Sequence, residues 1–294
     1  MASIRNIVVA TDFSDASVAA LARAAQLAVL HGARLCLLHA FDEKARREWQ
    51  SVVAAQRRAS TQESAEQRLR QRLADSAALL ARQLVVEVTS HYEAGPAPAV
   101  IDAYARTHPD SLVVVGSRAD PELAGLGSTA WKVARRPVAP TLIVRATERR
   151  SYQTILSAVD LREGSLRAVS LAVDLFRDAN HHLLYALDPI LPIAPWASEQ
   201  AEAQLRSEHE SLYAQAGVDL DRLAQQLSRR TAHRVQAAVA DDVPARAILV
   251  AAVNLSADCV VVGHHGDGPP TDCDVGSMAQ HVIHSAVSDV LVVP

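Results

Sequence analysis

At 294 residues the chain is long for one hydrophobic core and comfortable for two domains. Hydrophobic residues make up 49% and charged residues 21%, the composition of an ordinary globular protein. A net charge of −4, from 29 basic and 33 acidic residues, excludes the electrostatic footprint of a nucleic-acid or anionic-membrane binder.

The start of the chain, Met1 to Asn6, runs directly into an apolar β-branched stretch without a basic head and long apolar segment, so no signal peptide is expected. Residues 4–10 predict the first strand. Ser14 or Asp15 caps a helix that reaches His31 and stops at Gly32. Residues 34–40 predict a second strand. Glu43 to Arg82 is Arg- and Gln-rich with helical periodicity and a break near Ser60-Thr61. Leu84 to Val88 reads as a third strand, Pro98 to Thr107 as a helix and 111–116 as a fourth strand. A loop, a short helix over 128–135 and a strand over 141–145 complete the first half. The second half repeats the alternation, with strands expected at 153–159, 182–187, 234–240, 258–263 and 289–293. Strands separated by helices predict a parallel sheet covered on both faces, with ligands at the strands' carboxyl ends where strand order reverses.

The two halves are copies. Ile7 to Asp12 recurs as Ile155 to Asp160, Ser17 as Ser165, and Leu112 to Gly116 as Cys259 to Gly263. Gly127-Ser128 recurs as Gly276-Ser277, and Thr141 to Val144 as Val290 to Val293; the offset stays between 147 and 149 residues. Two domains are therefore expected, 1–146 and 151–294, joined by the charged link Thr147 to Arg150. The three cysteines, Cys36, Cys259 and Cys273, include no close pair, which predicts reduced thiols and a cytoplasmic setting. No uncharged apolar run is long enough to span a membrane.

The most informative stretch is Gly263-His264-His265-Gly266, nine residues, then Gly276-Ser277, set between a buried-strand pattern and a helix. Glycines allow positive φ and close backbone approach. The first N–H groups of a helix are unpartnered and carry the positive end of its dipole, so a phosphate placed there is satisfied twice. Ser277 can cap the helix or bond a phosphate oxygen. Asp160 and Asp12 follow strands and can cap the next helix or meet a ligand; Asp160 and Gly263 end two different strands at the same sheet edge.

Val159-Asp160 with Ser165, the spaced loop from Gly263 to Ser277 and the ending Ser285 to Val293 together resemble the universal stress protein family, over nearly the whole chain and twice. The resemblance implies two tandem doubly wound, Rossmann-like domains, each a five-stranded parallel α/β sheet, related by a pseudo-twofold. It implies ATP binding in part of the family, often with magnesium. Asp160 and Val159 then lie by the nucleotide and Ala186 frames the adenine. Gly263, His264, Gly266, Gly276, Ser277 and Met278 hold the phosphates. It also implies pairing through the last strands, within one chain or in a homodimer.

The first half departs from the family loop. Ala119 stands where the second glycine belongs, and only seven residues separate it from Gly127-Ser128. If that position needs positive φ, Ala costs on the order of 1–2 kcal/mol. One nucleotide is therefore expected in the second half, with Thr11, Asp12, Gly116, Arg118, Gly127, Ser128 and Thr129 as a weaker site. Two rival readings stand beside it. One is a nucleotide-free scaffold acting on protein partners through its charged helices. The other is a metal-binding regulator using His264, His265, Asp272, Cys273, Asp274, His281 and His284, a set without metal-site spacing. No nucleophile elbow or Walker-type Gly-Lys-Ser/Thr is present, so a dedicated enzyme is not indicated.

Overall fold

The computed structural model describes residues 4–42, 62–117, 127–145, 150–189, 199–264 and 274–294. The chain divides into two compact units, Met1–Arg149 and Arg150–Pro294. The first unit runs β1 (Asn6–Ala10), α1 (Asp15–His31), β2 (Arg34–Phe41), α2 (Gln62–Gln83), β3 (Val88–Ala94), α3 (Ala97–Thr107), β4 (Ser111–Gly116), α4 (Ser128–Arg135) and β5 (Thr141–Val144). Its strands lie in the order β3-β2-β1-β4-β5, and every pair is parallel.

The second unit runs β6 (Thr154–Ala158), α5 (Glu163–Leu175), β7 (Asn180–Leu187), α6 (Glu199–Leu227), β8 (Gln236–Asp241), α7 (Pro244–Asn254), β9 (Cys259–Gly263), α8 (Ser277–Ser285) and β10 (Asp289–Val293). Its order is β10-β9-β6-β7-β8, again parallel throughout. Each unit is the five-stranded parallel α/β sheet that the alternation predicts. In each, the chain moves outward through three strands and then returns to the other side of the first. That return puts later helices on the opposite face and opens a crevice at the carboxyl ends. Alternate residues of β2 show the two faces: Leu38 and Ala40 look toward Ile101 of α3, while His39 packs on Phe13 and Tyr92, which carry Arg72 and Arg70 of α2.

The central strands are continuous apolar runs because both faces are covered; Ile7, Val113, Val114, Val260 and Leu291 are buried. Helix α1 begins where expected, with Ser14 accepting the Ser17 N–H at 3.4 Å, and ends at Gly32 in the left-handed conformation at φ 59°. Residues 43–61, the first part of the charged stretch, lie outside the described residues. Among the described residues no helix is long and apolar enough to cross a membrane.

The third strand is not at 84–88. The Leu84 N–H still donates to the Leu80 carbonyl, Val85 is 92% exposed, and the strand is Val88–Ala94. Among the described residues this strand pairs with β2 alone. A half-exposed end strand tolerates Thr89, Ser90, His91 and Glu93, so apolar content does not mark it.

His181 is 1% exposed on β7, opposite Ile155, where the first unit pairs Leu35 with Ile7. Its Nε2–H donates to the Phe176 carbonyl at 2.9 Å, while Nδ1 has no hydrogen-bond partner among the described residues. Burial pushes its pKa down, as it does for neighbouring His182. As pH falls below the ordinary histidine value, the unfolded chain takes a proton that the folded chain refuses. Stability is then lost until the lower folded pKa is reached, by at most about 1.4 kcal/mol per pH unit for one group. His181→Leu, copying the first unit, should make this acid-side loss shallower, measured by denaturant unfolding at about pH 7.5 and 5.5.

Candidate functional site

At the carboxyl edge of the first unit, β1 runs into Thr11-Asp12-Phe13-Ser14. The Asp12 carboxylate accepts from the Ser14 N–H at 3.0 Å and from its hydroxyl at 2.5 Å. Thr11 Oγ1 accepts the Phe13 N–H at 3.1 Å and donates to Ser17 Oγ at 3.2 Å. Burial pushes the Asp12 pKa up, but the hydrogen bonds from Ser14 and Ser17 outweigh it and hold the carboxyl below its usual range. In the second unit the Asp160 carboxylate accepts from the Arg162 N–H at 3.0 Å and the Ser165 hydroxyl at 2.5 Å. Both carboxylates therefore brace a helix start, as an Asp after a strand commonly does.

The residue after each Asp is left-handed, Phe13 at φ 62° and Leu161 at φ 61°. Such a conformation costs a non-glycine residue about 1–2 kcal/mol, and the side-chain bonds around it hold it there. Sequence reading does not find it, because bulky residues avoid positive φ. The one available signal is that both occupy the same place in the repeat.

Of the two properties expected of the loop glycines, Gly116 and Gly263 show close backbone approach, and none of the described ones has a positive φ. Gly127 and Gly276 are the N-caps of α4 and α8, with φ of −53° and −57°; the positive-φ glycines among the described residues are Gly32 and Gly95. Gly116 and Gly263 matter because they lack a Cβ. On Gly116 it would stand 2.2 Å from the Ala16 carbonyl oxygen, and on Gly263 3.2 Å from the Gly164 carbonyl carbon. Nothing lies within 4 Å of a Cβ on Gly127. Ser277 does not cap α8; it is the first helical residue.

In the first unit these parts enclose a cavity of about 280 Å³. Thr11, Asp12, Gly116, Gly127, Ser128 and Thr129, the residues expected there from sequence, all line it; Arg118 and Ala119 lie outside the described residues. Ser14 and Ser17 add hydroxyls. Leu38, Ala40, Ile101 and Val115 form an apolar wall that sequence reading does not assign. The one hint of it in the sequence is Ala186: strand register puts Leu38 opposite Ala10 and Leu184 opposite Ala158, so Ala40 is the counterpart of Ala186.

In the second unit the His264 N–H donates to the Val293 carbonyl at 2.7 Å, and the Gly276 N–H donates to the His264 carbonyl at 3.1 Å. The two ends of the loop are thus tied together, and the first amide of the α8 start is already engaged. Asp160 is exposed at this edge, Ala186 and Met278 are half-buried and Ser277 is exposed. Val159 packs its side chain into the core with Val169 and Leu220, so only its backbone borders the edge. Gly266 lies outside the described residues, as do His265, Asp272 and Cys273 of the histidine cluster. Among the described residues no group of His, Cys, Asp or Glu could hold a metal ion.

The repeated sheet topology has a counterpart among known proteins. The model of the universal stress protein family matches residues 3–145 and again 151–294. The chain belongs to the universal stress protein family. A universal stress protein from Archaeoglobus fulgidus DSM 4304 has a similar structure, 17% identical, covering 99% of this chain and 98% of that one at a TM-score of 0.64. A putative universal stress protein from Pseudomonas aeruginosa UCBPP-PA14 is 20% identical, covering 99% and 93% at a TM-score of 0.59. A functionally unknown protein from Pseudomonas aeruginosa PAO1 is 19% identical, covering 99% and 92% at 0.61. At these identities the likeness is one of fold. No curated protein matches the sequence.

The close approach at this universal stress protein's strand ends predicts a graded series. Gly116→Ala should lose about 1–3 kcal/mol through overpacking against backbone. Gly263→Ala should lose less, and Gly127→Ala, with no atom in the way of a Cβ, should lose at most about 1 kcal/mol through the poorer helix cap. Thermal or denaturant unfolding of the three variants measures the order.

Proposed function

We propose that this protein binds an adenine nucleotide, ATP with magnesium, at the carboxyl edge of its sheets, and that it serves stress response or signalling as a binder, without group transfer. The supporting observation is the first unit's cavity, which brings an apolar wall, an ionised carboxylate and a helix start to one place. Leu38, Ala40 and Ile101 suit a base, since ligand pockets are mostly apolar with a few placed polar groups. Asp12 suits ribose hydroxyls, which donate to a carboxylate. Gly127, Ser128 and Thr129 at the start of α4 suit phosphates through amides and hydroxyls. Bound magnesium would supply the charge neutralisation that a polyphosphate needs.

A second reading puts the nucleotide in the second unit. It is favoured by the intact spacing of Gly263, Gly266, Gly276 and Ser277 and by the matching turn at Asp160. Cytoplasmic placement and self-association through the last strands, both implied at the level of sequence, belong to the same proposal.

Calorimetry with ATP and magnesium on wild type, Gly127→Val and Gly276→Val decides between the halves. Gly127→Val fills the cavity mouth at a position with open space and an ordinary backbone, and should weaken binding at least about tenfold. Gly276→Val should leave that site intact. The reverse pattern would move the nucleotide to the second unit, and no heat from wild type would favour the nucleotide-free scaffold.

A further inference from the structure

We infer that His39 is a positioning residue for the first unit's cavity, holding Thr11 and Phe13 in the form that presents Thr11 and Asp12 to a ligand. The inference rests on the nucleotide reading of that cavity. His39 is 8% exposed on β2, on the side of the strand away from the cavity wall. Its Nδ1 lies 2.7 Å from the Thr11 carbonyl oxygen. A carbonyl only accepts, so Nδ1 carries the proton and donates. The Thr11 N–H in turn donates to the Leu38 carbonyl at 2.9 Å. Consecutive residues of β2 therefore fix both backbone groups of Thr11, one through its main chain and one through its side chain.

The imidazole also holds the turn beyond Thr11. Its ring centroid lies 5.2 Å from that of Phe13 and 5.8 Å from that of Tyr92. Phe13 is the left-handed residue, and the Arg72 guanidinium lies over its ring at 4.2 Å from the centroid. A strained residue persists only where its surroundings over-determine it. Here one side chain supplies both a hydrogen bond to the Thr11 carbonyl and a packing surface for the Phe13 ring. With Phe13 so held, its N–H reaches Thr11 Oγ1, and the Ser14 N–H and hydroxyl reach the Asp12 carboxylate. The second unit has the same turn around Leu161 but carries Tyr185 at the register position of His39. The imidazole donor is thus a device of the first unit.

The test uses His39→Phe, which keeps a ring but removes the donor, and His39→Asn, whose side-chain amide nitrogen can occupy the place of Nδ1. Amide hydrogen exchange over residues 11–17 is measured in ligand-free full-length protein, and affinity for ATP with magnesium by calorimetry. His39→Phe should speed exchange in this segment and weaken binding about tenfold, through lost preorganisation. His39→Asn should restore slow exchange and bring affinity to within about threefold of wild type. Unchanged exchange in His39→Phe, or equal loss of binding in both variants, would overturn the role of His39. Absence of binding by wild type would instead strike the nucleotide reading, and it is seen before any variant is made.

Discussion

The end of the first unit's fourth strand meets the first turn of α1 at a distance that excludes any side chain. A Cβ on Gly116 would stand 2.2 Å from the Ala16 carbonyl oxygen, far inside van der Waals contact. This contact fixes how deep the helix start sits against the sheet edge. Strand order reverses between β1 and β4, so the same approach sets the width of the crevice between them. Thr11 and Asp12 on one side and Gly127 to Thr129 on the other line a common cavity as a result. The second unit makes the approach more loosely, with a Cβ on Gly263 set 3.2 Å from Gly164, itself a glycine on the facing helix.

The two copies have diverged in how they use this edge. In the first, apolar residues of β2 and α3 continue the crevice into a pocket. In the second, the Gly276 amide and the His264 carbonyl bond to each other, which engages one of the amides at that helix start. Each such bond is worth little net, of the order of 1 kcal/mol, which a phosphate at a helix start can offset. Among the described residues the formed cavity belongs to the first unit, whereas the glycine spacing Gly263, Gly266, Gly276-Ser277 belongs to the second.

Much of the fold is legible in the sequence, because buried parallel strands are long apolar runs and the repeat doubles every observation. The strand at Val88–Ala94 escapes because an end strand is not apolar, while Leu84 to Val86, which is, leads out of a helix. The polar half of the first cavity is legible as well, since Asp12, Gly127 and Ser128 recur in the repeat. Its apolar wall is not: Leu38 and Ile101 look like any core residues, and only the fold brings them to the edge. The left-handed Phe13 and the His39 bond are hidden for a related reason. Each depends on a contact between β2 and the end of β1, and neither follows from local propensity. Of the two properties the sequence reading gives the loop glycines, positive φ and close backbone approach, Gly116 and Gly263 show the second, and against helix backbone.

The measurement that bears most directly on the first unit's cavity is photo-crosslinking with an adenine nucleotide that carries a photoreactive base, coupled to peptide mapping. A nucleotide seated there should label peptides containing Leu38 and Ala40 or Ala97 to Ile101, and excess unmodified ATP with magnesium should suppress the label. Label confined to peptides from residues 150–294, or label that ATP does not displace, would contradict the assignment of the site to the first unit.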